Sequence, residues 1–213
     1  MKIMIAVPCM DTAPIRFMES ITAMDKPRDT AICFHPGSLI YDARNLLSLQ
    51  AIQAGYDYVM WIDSDITCQR DAMTRLLDVS CGSGAPLVSG LYVTRSENPK
   101  PVIFDVVKPP EQDENGHIVK RIHNYTDYPR DSVFPIQGCG FGFVLTSVPL
   151  LKRVWDKFGP AFTPLMWTGE DVAFCHRVNL LGETMLCDSR VKLGHVGMFE
   201  FTEKMLRYGG DGR

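Results

Sequence analysis

Residues 56–71 read YDYVMWIDSDITCQRD, an apolar run, Val59-Met60-Trp61-Ile62, that stops abruptly at Asp63-Ser64-Asp65. Two carboxylates so close together repel each other, and a strand end is a costly place to desolvate them. On a continuing strand, positions i and i+2 point the same way, so Asp63 and Asp65 are expected to face one site together. In open α/β sheets ligand sites lie outside the carboxyl ends of strands, where this pair stands. A hard divalent cation such as Mg²⁺ or Mn²⁺ would offset the repulsion, since it favours oxygen ligands. Taken alone, Asp-x-Asp is more often an ordinary loop whose aspartates cap the next helix; the longer run DYVMWIDSD is more particular. An EF-hand reading fails, because the sixth and twelfth loop positions are Cys68 and Thr74 rather than Gly and an acid.

Outward from this stretch, strands and helices alternate. Strands are expected at residues 2–7, 30–34, 58–62 and 87–93, and helices at 15–23, 38–54 and 69–79, the pattern of an α/β sheet with parallel strands. Ala43, Leu47, Ala51 and Ala54 fall on one helical face, and Gly55 stands where a C-terminal cap belongs. Residues 96–132 are rich in proline and charge and read as a surface β excursion within one domain spanning 1–213. Beyond it come a strand at 134–146 containing GCGFGFVL, a helix at 149–158, and the helix of GEDVAFCHRVNLLG, stopped by Gly182. Two short strands, 184–187 and 191–193, then run into GHVG.

The bulk composition is that of an ordinary globular chain: 213 residues, 46% hydrophobic, 22% charged. A net charge of -3 provides no field that would gather nucleic acid. The seven cysteines are scattered with no Cys-x-x-Cys, which points to reduced thiols, a cytoplasmic location and no structural zinc. The longest apolar runs fall short of the roughly 18 residues of a membrane span. GCGFG lacks the third glycine of a dinucleotide loop, and Phe143 stands in its place.

Three other positions carry chemistry. Glu170 and Asp171 open a helix, where the macrodipole favours ionised carboxylates; one can serve as a base while the other caps or holds a hydroxyl. His195 lies between Gly194 and Gly197 just after a strand, either as a ligand or as a satisfied polar residue. Arg44 suits a phosphate, a base edge or a surface carboxylate, and Trp167 suits a sugar ring or the core.

In this order, IAVPCM, ARNLLSLQAIQAGYDYVMWIDSD, GCGFGFVL, GEDVAFC and GHVG resemble nucleotide-sugar glycosyltransferases of the GT-A fold, in particular the family-2-like group. The resemblance implies a Rossmann-like mixed sheet flanked by helices. It also implies a donor nucleoside-diphosphate sugar, a hydroxyl acceptor and a divalent metal, Mn²⁺ or Mg²⁺. By the same resemblance Asp65 and His195 would ligate the metal, with Asp63 on the ribose or on the metal through water. Pro8, Arg44, Ser64 and Gly140 would line the donor, and backbone from Gly138 to Gly142 would approach the sugar. Asp171 would be the base of an inverting transfer, and Glu170 and Trp167 would bind the acceptor. The acid expected at the end of the second strand is missing, and ICFHPGS presents His35 and Ser38 instead. Without a membrane helix or further domain, the acceptor is expected in solution or on a partner. Rival readings are a nucleotidyltransferase, disfavoured by VPCMDTAPIR in place of a Gly-rich basic loop, and a non-catalytic nucleotide- or carbohydrate-binding module.

Overall fold

The first strand, β1 (Ile3–Cys9), is buried over nearly its whole length, the mark of a strand covered on both faces. Its side chains alternate between two cores, Met4 and Ala6 into one, Ile3, Ile5 and Val7 into the other. This computed structural model describes every residue except Asp11, Ser38, Met198, Phe199 and 206–213. Ser38, named above beside His35, therefore lies outside the described residues.

The chain continues through α1 (Ile15–Ala23), β2 (Thr30–Pro36), α2 (Ile40–Gln53), β3 (Tyr58–Ile62), β4 (Ile66–Thr67), α3 (Ala72–Ser83) and β5 (Leu87–Leu91). Then come β6 (Ile103–Gln112), β7 (Ile118–Asn124), β8 (Val133–Ile136), β9 (Gly138–Cys139), β10 (Phe143–Ser147), α4 (Val148–Phe158) and α5 (Glu170–Leu180). β11 (Met185–Lys192), β12 (Gly194–Val196), β13 (Glu200–Phe201) and a 3-10 turn (Glu203–Met205) complete the described elements.

Seven strands form the main sheet in the order β2-β1-β3-β10-β5-β11-β8. β2, β1 and β3 are parallel, whereas β10 runs antiparallel to both β3 and β5. Helices α2, α4 and α5 pack on the face of Met4, through Leu47, Ala51, Leu151, Val154, Phe174 and Val178. Helices α1 and α3 pack on the other, through Phe17, Ile21, Met73 and Leu76. α2 ends at Gly55 (φ 63°), with Tyr56 N–H donating to the Ala51 carbonyl and Gly55 N–H to that of Ile52. That is the Schellman arrangement expected of a glycine cap. Among the described residues no helix is long and apolar enough to cross a membrane, and all seven cysteines are free.

Some expectations need correction. The strand at 134–146 is three separate strands, β8 at the edge of the main sheet, β9 on the excursion and β10 at the centre. The two closing strands are one, β11, with a register shift between Asp188 and Lys192. Helix α3, expected over 69–79, starts at Ala72, runs on through Gly82 and stops at Gly84 (φ 75°). The excursion is ordered as an antiparallel hairpin of β6 and β7, tied down where β9 pairs with β6.

Candidate active site

β3 delivers its acids where the sequence places them, but not on a strand. Regular pairing ends at Ile62, and a turn follows in which Ile66 N–H donates to the Asp63 carbonyl at 3.0 Å. The i, i+2 rule therefore does not apply, and the two carboxylates take different partners. Asp63 accepts a hydrogen bond from Arg44 Nη2 at 2.7 Å. Asp65 Oδ2 lies 2.9 Å from Arg95 Nη1 and 3.5 Å from His195 Nε2.

Both acids still line one cleft of about 340 Å³, with Pro8, Ser64, Arg95 and His195 in its wall. The cleft opens at the carboxyl ends of β1 and β3, as the general rule for such sheets predicts. His195 arrives on β12, held beside β4 by the pairings Gly194–Thr67 and His195–Ile66. Its Nδ1 lies 2.9 Å from the Val93 carbonyl, which has no proton to give, so Nδ1–H is the donor. Nε2 then carries the lone pair in the neutral ring and faces Asp65. Tyr92 packs edge-on against the same imidazole, with ring centres 5.4 Å apart.

Arg44 differs from its expected role. It is 1% exposed, lies with its guanidinium 5.4 Å from the Phe141 ring centre, and does not line the cleft. Its Nε is 3.7 Å from Glu170 Oε1, and among the described residues neither Nε nor Nη1 has a hydrogen-bond partner. One buried cation thus lies between the acid turn after β3 and the acids that open α5. Asp171 Oδ1 accepts the N–H of Val172 at 2.7 Å.

This crowding sets the proton affinities. Burial pushes the Asp63 carboxyl up to about 6, with Asp65, Asp171 and Glu170 adding to the rise and Arg44 opposing it. Burial and then Glu170 likewise raise Asp171, against Arg44. For Asp65 burial works upward, but His195 in its cationic form, with Nε2 protonated as well as Nδ1, opposes it by hydrogen bond and charge; with the charge of Arg95 this holds the carboxyl low.

Gly140 also departs from expectation. A Cβ there would run into the Tyr92 hydroxyl and lie 2.6 Å from Val102 Cγ1, so the space its missing side chain leaves is taken by Tyr92. Gly142 is similar, with Tyr92 Cζ at 2.8 Å, and its N–H donates to the Tyr92 hydroxyl at 3.2 Å. The Gly142 carbonyl accepts from Asp63 N–H at 3.0 Å, which fixes the start of the acid turn. Trp167 lies off the cleft, edge-on to His176 of α5 at 5.2 Å, and His35, on β2, is not among the lining residues. Arg95 and Tyr92 were not singled out from the sequence. The available signal was their place just beyond the carboxyl end of β5, itself a central strand.

Among the described residues no set of three or more His, Cys, Asp or Glu side chains is placed to hold a metal ion. The Asp65–His195 pair supplies two.

No family model matches the chain, and no curated protein matches it. Solved structures do. The crystal structure of A197 from STIV aligns with TM-score 0.65 and 16% identity, over 92% of this chain and 86% of that one. The crystal structure of GalNAc-T7 with UDP, GalNAc and Mn²⁺ aligns with TM-score 0.61 and 8% identity, over 92% of this chain and 44% of that one. The likeness is one of fold. It places this mixed α/β sheet beside that of a GT-A glycosyltransferase, and the chain spans less than half of the transferase's length.

Proposed function

We propose that the chain is a glycosyltransferase of GT-A fold that moves a sugar from a nucleoside-diphosphate donor to an acceptor hydroxyl. The observation that carries this reading is the pairing of Asp65 with an imidazole whose Nδ1–H is committed to the Val93 carbonyl. That hydrogen bond is the outer-shell contact that orients metal-ligating histidines. The donor set fits a divalent cation held jointly with a diphosphate, because such ions use one or two carboxylates plus substrate phosphates rather than a full protein cage. Asp65 and His195 would hold it, as Mn²⁺ or Mg²⁺. When bound, the cation supplies Lewis-acid stabilisation of the departing diphosphate.

The remaining work belongs to the chain. Asp63, steadied by Arg44 and the Gly142 carbonyl, accepts a ribose hydroxyl. Pro8 and Ser64 border the nucleotide, and Arg95, 2.9 Å from Asp65, meets a diphosphate oxygen. Asp171 takes the acceptor proton as the hydroxyl attacks. Its raised proton affinity, from burial and from Glu170, makes it a stronger base than an ordinary carboxylate. Glu170 accepts from a second hydroxyl of the acceptor, and a single in-line displacement by the first inverts the anomeric carbon.

The test is titration of UDP with and without Mn²⁺, on wild type and Asp65→Ala, by calorimetry. Binding should need Mn²⁺ and fall at least tenfold in the variant. Equal binding with and without the ion, untouched by the substitution, would overturn the metal reading. Asp171→Asn should keep donor binding and lose transfer.

A further inference from the structure

A second concavity, of about 580 Å³, lies between the β6–β7 hairpin and the loop that precedes α5. Its volume falls within the roughly 300–1,000 Å³ of small-molecule sites. Its wall combines Lys108, Lys120 and Arg121 with Ile118, Met166 and Trp167, and no acidic side chain lines it. In a chain of net charge -3 this is a local reversal of sign.

The hairpin lends residues from both of its faces to the wall. Lys108 pairs directly with Arg121, so both stand on one face of the ribbon. Ile118, Lys120 and Ile122 alternate onto the other. Arg121 is partly committed to Glu111, but among the described residues Lys108 and Lys120 form no ion pair. Opposite them Met166 is fully exposed, and Trp167 is braced edge-on against His176. A rigid indole beside an exposed methionine gives an apolar shelf, and the lysines rim it. Such a shelf takes the C–H face of a ring while the rim takes a negative charge. Trp167 belongs to the same short segment that delivers Glu170 and Asp171 to the start of α5.

We infer that this groove binds the acceptor and that the acceptor is an acidic saccharide, a sugar chain bearing carboxylate or phosphate groups. The inference rests on the transferase reading for the word acceptor; the groove's preference for an acidic saccharide stands on its own residues. Lysine at the rim discriminates by charge, and Trp167 by ring shape.

The experiment is calorimetric titration of the full chain with two tetrasaccharides. One alternates glucuronate and N-acetylglucosamine, and the other is neutral chitotetraose. The acidic probe should bind at least tenfold more tightly, and the preference should shrink between about 25 and 300 mM salt as the charges are screened. Lys108→Ala/Lys120→Ala should cut binding of the acidic probe about tenfold. Trp167→Ala should weaken both probes. UDP titrated into the lysine variant should bind as it does to wild type. Equal affinity for the two probes, binding of neither, or tighter binding of an oligothymidylate than of either would overturn the inference. A wild type that binds no UDP yet keeps the acidic preference would sink the transferase reading alone and leave the groove as a saccharide-binding site.

Discussion

Arg44 and Asp63 are joined at 2.7 Å, and the guanidinium is almost sealed from water while the carboxylate edges the cleft. A buried cation held by acids on two elements ties the turn after β3 to the start of α5. Removing one partner leaves an uncompensated buried charge, which costs about 3–5 kcal/mol. Arg44→Met should therefore lower unfolding free energy by about 3 kcal/mol in urea at pH 7. Adding Asp63→Asn should return part of it. A loss below about 1 kcal/mol would show that the pair is not a keystone.

Stability should also report on Asp63 by pH. Its carboxyl titrates at about 6 in the fold against an ordinary 3.8, so the folded protein holds the proton more tightly than the unfolded chain does. That contribution is complete below the unfolded value and is lost as pH rises through about 6. At about 1.4 kcal/mol for each tenfold change in proton affinity, the loss is of the order of 3 kcal/mol. Asn mimics the protonated acid, so the stability of Asp63→Asn relative to wild type should rise from pH 4 to pH 7. A difference that stays flat across that window would refute the assignment.

Arg95 competes for Asp65. Its guanidinium bonds both Asp65 Oδ2 and the Val196 carbonyl, at 2.9 and 3.0 Å. Arg95→Ala should strengthen Mn²⁺ binding several-fold in the absence of nucleotide, because a cation no longer shares its carboxylate. The same change should weaken UDP binding in the presence of Mn²⁺. Calorimetry of each ligand checks the pair of outcomes, and two unchanged affinities would remove Arg95 from the site.

Gly140 is predicted to be intolerant of any side chain. A methyl group there meets the Tyr92 hydroxyl and Val102, and overpacking of this kind costs about 1–3 kcal/mol. Gly140→Ala should show it in thermal unfolding, and Tyr92→Phe should relieve part by removing the hydroxyl.

Much of this was legible in the chain. The run Val59–Ile62 and its stop, the helix at 15–23 and the Gly55 cap each follow from local pattern, and each stands where pattern put it. What could not be read was partnership across the sequence. Nothing within GCGFG says that β9 joins the hairpin and β10 the main sheet, because the close contacts of Gly140 and Gly142 are with Tyr92, roughly fifty residues away. Nor does Asp-Ser-Asp announce that a turn splits its carboxylates, since that depends on Arg44 and the Gly142 carbonyl. In the case of Arg44, its charge and its helix were visible, but its burial beneath Phe141 is a property of packing.

The reversed direction of β10 has a geographic consequence. Antiparallel pairing sets Phe143 beside Ile62, so the beginning of one strand meets the end of the other. Had β10 run parallel, its first residue would start at the far rim of the sheet, about 15 Å away at 3.3 Å per residue. The reversal turns the chain's return from the hairpin into the neighbour of the acid turn. The backbone that leaves the sheet after β5, and touches its edge as β8, comes home to its centre on the same shore from which Asp63 departs.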